Sequence, residues 1–204
     1  MPYKYDSSQH KYIDTATNRS VPWNSLNKSL LSYEDAQKTR VINLSSRLGS
    51  GEYTLERWTN EMRKAVKDNY ISQYLLGRGG RKSMTQSDWG RVGGLLSNQY
   101  RYLDNFAQEI ANGTLTEAQI GARSGLYVDS ATQAFERAKA ASRFLVLPNY
   151  PGDGTSLCMA NDKCTWVIQE FDNRWEAYWT LSPAEHCQVC LDRATLWNPL
   201  VIMK

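Results

Sequence analysis

Four cysteines stand in the last third of the chain as two close pairs, Cys158-x5-Cys164 and Cys187-x2-Cys190, with His186 beside the second. Thiolates are soft ligands. Two from each of two turns can surround a Zn²⁺ ion tetrahedrally at about 2.3 Å. Four sulfurs leave no open coordination position, so such an ion organises the chain and does not activate water. The pattern therefore points to structural zinc held by Cys158, Cys164, Cys187 and Cys190, with His186 a substitute for one thiolate. Asp162, inside the longer loop, is a weaker candidate. The five-residue interval exceeds the usual two to four, and disulfides or free thiols are the other states open to these cysteines. His10 and His186 are the two histidines of the chain, too few to assemble a Ser–His–Asp or Cys–His arrangement readily.

A second stretch with chemical potential is Gly77-Arg-Gly-Gly-Arg-Lys82. It lacks the Walker placement of Lys before Ser or Thr, and no strand is expected before it, which argues against a nucleotide loop. Arg78, Arg81 and Lys82 are instead candidates for touching nucleic acid or an acidic partner. The plain reading is a helix-to-helix turn with solvated charges.

The elements that must position these groups fall into three parts. Residues 1–31 are polar and Ser/Asn-rich, with scattered anchors such as Tyr5, Tyr12, Ile13 and Trp23. They read as an extended arm that orders against a neighbour. Residues 32–147 show helical spacing in four runs, giving a mainly α, four-helix, mostly antiparallel body. Ser32 opens the first run and Gly49-Ser-Gly51 closes it. Thr54 opens the second, which ends at Gly77–Gly80; the third runs from about Thr85 to Asn112-Gly113. Thr114-Leu-Thr-Glu117 has the form of a capping box and opens a fourth run reaching about Phe144. After Pro148-Asn-Tyr-Pro-Gly-Asp-Gly154, residues 148–204 read as a small cysteine-rich domain, a β-hairpin zinc knuckle. Its strands are Thr165–Phe171 and Trp175–Leu181, and Leu191–Trp197 forms a short helix.

Charge is unevenly placed. Residues 1–150 carry 20 Lys+Arg against 14 Asp+Glu (+6), and the remainder 4 against 7 (−3), which sum to the net +3 of the chain. That is mild for a nucleic-acid-binding surface. No apolar run approaches the roughly 20 residues of a membrane helix, and the N-terminus lacks the pattern of a secretory signal. Without that signal, four cysteines suit a reducing compartment, where metal binding is commoner than disulfide formation.

Several segments of the tail carry a resemblance: Pro151-Gly-Asp-Gly-Thr-Ser-Leu-Cys158, Cys164-Thr-Trp166-Val-Ile, Trp179-Thr-Leu181, Glu185-His-Cys-Gln-Val-Cys190 and Ala194 through Trp197-Asn-Pro-Leu200. Together they resemble a cysteine-rich segment of tailed-phage head-morphogenesis, minor head and related virion proteins. The first cysteine cluster of that pattern often holds an additional cysteine, and Asp162 stands near that position here. Pro2-Tyr-Lys-Tyr-Asp6 with Asn18-Arg19 also looks like the start of such proteins. The resemblance implies a structural metal site at the four cysteines and no catalytic residue. It further implies a non-enzymatic virion component, made in the host cytoplasm, packing in multiple copies against portal, major capsid or neck subunits. The alternatives are a zinc-containing nucleic-acid-binding protein with weak DNA contact through the basic loop, and a zinc-dependent hydrolase.

Overall fold

A computed structural model describes residues 3–6, 8–9, 11–159 and 162–204; His10 lies outside them. The chain is mainly helical, with two small antiparallel sheets. The long helices are α1 (Trp23–Gly49), α2 (Leu55–Arg78) and α3 (Gln86–Ala111), followed by the shorter α4 (Glu117–Asp129) and α5 (Thr132–Ala141). Helix α2 starts at an N-cap Thr54 whose hydroxyl accepts from the Arg57 amide, and it stops at Gly79 in the left-handed conformation. Helix α3 opens with a reciprocal capping box between Thr85 and Asp88. Trp58, Met62, Val66 and Tyr70 of α2 pack with Val92, Leu103 and Phe106 of α3, and with Ile120 and Tyr127 of α4, in one apolar core.

Three features of the helical body differ from the sequence expectation. Helix α1 begins nine residues before Ser32, at Trp23 behind Pro22. Leu26 and Leu30 are its first buried residues, and they extend to the N-terminus a four-residue spacing that reaches Glu34. The fourth run is two helices: the chain turns at Ser130-Ala131, where the Tyr70 hydroxyl donates to Ser130 Oγ at 2.9 Å. No glycine or proline marks that turn. Its capping box also sits two residues later than expected, on Thr116 and Gln119. The helical body is therefore built of five helices.

The expected extended arm is folded. Strands β1 (Tyr3–Asp6), β2 (Lys11–Asp14) and β3 (Ser20–Val21) form an antiparallel meander with Tyr5 opposite Tyr12. Tyr5 and Tyr12 pack with Leu26, Leu30, Leu76 and Phe135, so the aromatics find their partner within the chain itself. The fit is close. A Cβ at Gly79 (φ +89) would lie 2.4 Å from the Tyr5 amide nitrogen, so only glycine both takes that conformation and admits β1. The Tyr12 hydroxyl donates to the Gly77 carbonyl at 3.4 Å.

The C-terminal sheet consists of β4 (Thr165–Glu170), β5 (Arg174–Thr180) and β6 (Leu200–Met203), with α6 (Gln188–Leu196) crossing between β5 and β6. The sequence reading found the hairpin and the short helix but not β6. Trp166 pairs with Trp179 across the hairpin, and both rings meet Trp197 at centroid distances of 5.2 and 5.8 Å.

Asp88 closes the start of α3 from within. Its side chain is 1% exposed and takes Nε of Arg78 at 2.9 Å, the Tyr74 hydroxyl at 2.9 Å, and both the amide and the hydroxyl of Thr85. Burial alone would raise its pKa, but those donors outweigh it and bring the group down from 3.8 to about 2. A depressed carboxylate stabilises the fold above its unfolded value and loses that contribution as pH falls through the folded one. Asp88→Asn is expected to cost about 2 kcal/mol at neutral pH, read by urea midpoint, and to flatten the loss of stability between about pH 4 and pH 2.

Candidate metal centre

The hairpin brings the two cysteine pairs together. Thr165 lies opposite Thr180 in the sheet, so Cys164, just before β4, falls beside the segment leaving β5. Cys187 is the N-cap of α6, and its carbonyl accepts the Cys190 amide at 3.0 Å, which holds both thiols on one turn. Cys164 and Cys190 are 2% and 0% exposed, while Cys158 and Cys187 are half-buried. None of the four is in a disulfide.

Two groups of donor atoms lie within 4.8 Å of one another: Cys158, Cys187 and Cys190 in the first, and Asp162, Cys164 and Cys190 in the second. Cys190 belongs to both. The five residues thus form a cluster able to hold a metal ion, but no group within that radius contains all four thiols. Cys190 is the hub, with one arm at the surface and one fully buried. The four cysteines of the sequence expectation lie at one locus, and Asp162, the weaker candidate there, lies among them. His186 stands beside the cluster: its Nδ1 is 3.9 Å from Cys164 Sγ, and Nε2 lies 2.7 Å from the Ser182 carbonyl. A carbonyl on one ring nitrogen leaves the other available as an acceptor or a ligand.

Electrostatics divides the thiols. Burial, reinforced by the Asp162 carboxylate, pushes Cys164 up to about 11 and Cys190 still higher. Burial would also raise Cys187, but the Cys190 amide and the Cys158 and Cys190 thiols outweigh it and bring the group down to about 7. Without metal, the buried thiols keep their protons at neutral pH. A soft divalent cation is the species that displaces them.

The sheet that carries the cluster is fastened to the helical body by a buried ion pair. Lys139 Nζ on α5 donates to Glu136 Oε1 at 2.7 Å, to the Trp166 carbonyl at 2.6 Å and to Thr165 Oγ1 at 3.2 Å. Glu136 in turn accepts from Thr165 Oγ1 at 2.7 Å and from the Trp166 amide at 3.2 Å. Both side chains are at most 6% exposed. Lys163, next to the cluster, reaches Asp129 at the end of α4, which also receives Lys38 at 2.8 Å.

The basic-loop candidates are split. Arg78 is committed to the fold through Asp88 and through the Ala141 carbonyl at 3.1 Å. Arg81 stacks over Trp89 at 5.6 Å, and among the described residues neither it nor Lys82 has an ion-pair partner. Comparison with family models, with curated proteins and with solved structures finds no match for this chain.

Proposed function

We propose that the chain is a structural, non-enzymatic component of a tailed-phage virion, a minor head or head/neck-associated protein whose C-terminal unit is organised by Zn²⁺. The observation that carries this reading is the cysteine cluster itself. The residues that resemble the phage segment are those that build the cluster and its tryptophan core, Trp166, Trp179 and Trp197. Soft, largely buried donors on turns suit a thiophilic ion that holds chain together. Zinc would be held by Cys158, Cys164, Cys187 and Cys190 or by a subset of them completed by Asp162 or His186. Contacts to portal, capsid or neck subunits would draw on apolar side chains left in solvent: Phe144, Val146, Leu157 and Leu196 are 87, 81, 75 and 72% exposed. Phe144 also sits at φ +59, a conformation a bulky residue adopts at a cost. The nucleic-acid alternative is left with Arg81 and Lys82, two cations where a basic stripe is expected.

Mass spectrometry of gradient-purified particles of the phage that encodes the chain tests the reading. The expected result is this chain at a fixed ratio to the portal protein, retained in heads after tails are removed. Particles that lack it, from cells in which it is abundant, would overturn the proposal.

A further inference from the structure

The two donor groups pose a question that the four-thiol count does not answer, namely which atoms close the coordination sphere. Asp162 is 1% exposed, and among the described residues no Lys, Arg or His forms an ion pair with it. Its oxygens are met by the Ser156 hydroxyl at 2.9 Å, the Cys164 amide at 3.1 Å and the Cys190 thiol at 3.6 Å. A buried carboxylate without a cation is costly, and it becomes costlier when the thiol facing it is deprotonated. Metal binding requires that deprotonation, since thiolate is the ligand. With the thiol protonated the 3.6 Å contact is a hydrogen bond from Cys190 to the carboxylate, and once a metal displaces that proton the cation itself offsets the repulsion between thiolate and carboxylate.

The distance has a second meaning. Ligands at about 2.3 Å for sulfur and 2.0–2.2 Å for a carboxylate oxygen, set at the tetrahedral angle, are separated by about 3.5–3.7 Å. Asp162 Oδ2 and Cys190 Sγ lie 3.6 Å apart, the edge of such a tetrahedron. The Ser156 hydroxyl on the same carboxylate and the Cys164 amide on its other oxygen fix its orientation, as partners of metal-ligating carboxylates do.

Resting on the metal-site reading above, we propose that Asp162 is a direct ligand of the ion. It acts with Cys164 and Cys190, the two thiols grouped with it within 4.8 Å. One thiol of the Cys158/Cys187 pair, which lies in the other donor group, must draw in toward the ion to complete three sulfurs and one oxygen. The remaining thiol of that pair stays outside the coordination sphere. Mixed donors of this kind make the ion harder and less tightly held than a four-thiolate site would.

Cobalt(II) substitution of the full chain under a non-thiol reductant tests this, because the thiolate-to-cobalt charge-transfer band reports the number of sulfur ligands. The expected result is that Asp162→Cys raises that band by about a third, four thiolates replacing three. Asp162→Asn should alter the d–d envelope while far-ultraviolet circular dichroism stays unchanged. A wild-type band already at the Asp162→Cys intensity, together with an unchanged Asp162→Asn envelope, overturns the assignment and leaves a four-thiolate centre in place. Failure of the wild-type chain to bind cobalt or zinc at all overturns the metal-site reading itself.

Discussion

Cys190→Ser is expected to unfold the C-terminal unit while leaving the helical bundle intact. Cys190 is fully buried and is the one thiol common to both donor groups, so its loss disconnects the surface arm of the cluster from the buried one. The segment from Cys164 to the C-terminus has about 40 residues, near the size below which a domain usually needs a metal or disulfides. Structural zinc supplies about 10–16 kcal/mol in small zinc-finger peptides, far more than a small tryptophan core can replace. The readout is tryptophan emission. Trp166 and Trp179 are 1% and 3% exposed, and their emission should shift to the red as the unit opens. The helical signal in the far ultraviolet should persist. Chelation of the wild-type chain should reproduce the same change without any substitution. If both treatments leave emission and the melting transition unaltered, the cysteines are ordinary small core residues.

The second large effect is expected at the seam between helices and sheet. Lys139→Met removes the one cation that forms an ion pair with Glu136 among the described residues, and Glu136 remains 2% exposed with neutral donors from Thr165 and Trp166. Breaking one side of a buried pair typically costs about 3–5 kcal/mol, because the surviving charge is left uncompensated. Burial already pushes the Lys139 pKa below its ordinary value, with Glu136 opposing the shift. The double variant Glu136→Gln, Lys139→Met should recover most of the loss. That non-additivity, measured as urea midpoints of the two single variants and the double, distinguishes an uncompensated charge from lost packing. A Lys139→Met cost under about 1 kcal/mol would show that the pair does not hold the seam.

Local signals were legible in the sequence where one residue type decides a conformation. Helix starts near Thr54 and Thr85, a glycine stop at Gly77–Gly80, and the β-rich runs around Trp166 and Trp179 gave α2, α3 and the β4–β5 hairpin their places. Where tertiary contact decides, the sequence was silent. The turn at Ser130 is shaped by Tyr70, which lies 60 residues earlier. Glu136 and Lys139 look like an ordinary surface pair one helical turn apart until β4 is laid over them. Leu26 and Leu30 did carry the spacing of α1, but the polar residues around them read more readily as an arm. At the candidate site, the residue types placed the cluster. Its internal division did not follow from spacing, because the place of Asp162 depends on its burial and on Lys163, its sequence neighbour, pairing with Asp129 instead.

Helix α5 has only 10 residues, yet each of the apolar clusters draws on it. Phe135 belongs with the N-terminal meander, Ala134 and Ala138 with the long helices, and Ala140 with the tryptophan and cysteine core. Lys139 Nζ also lies 5.5 Å from the Trp23 ring at the start of α1 while it holds β4. The N-terminal meander and the C-terminal sheet are thus gauged from a single short rod. A displacement of either unit therefore has a path to the other through three turns of helix.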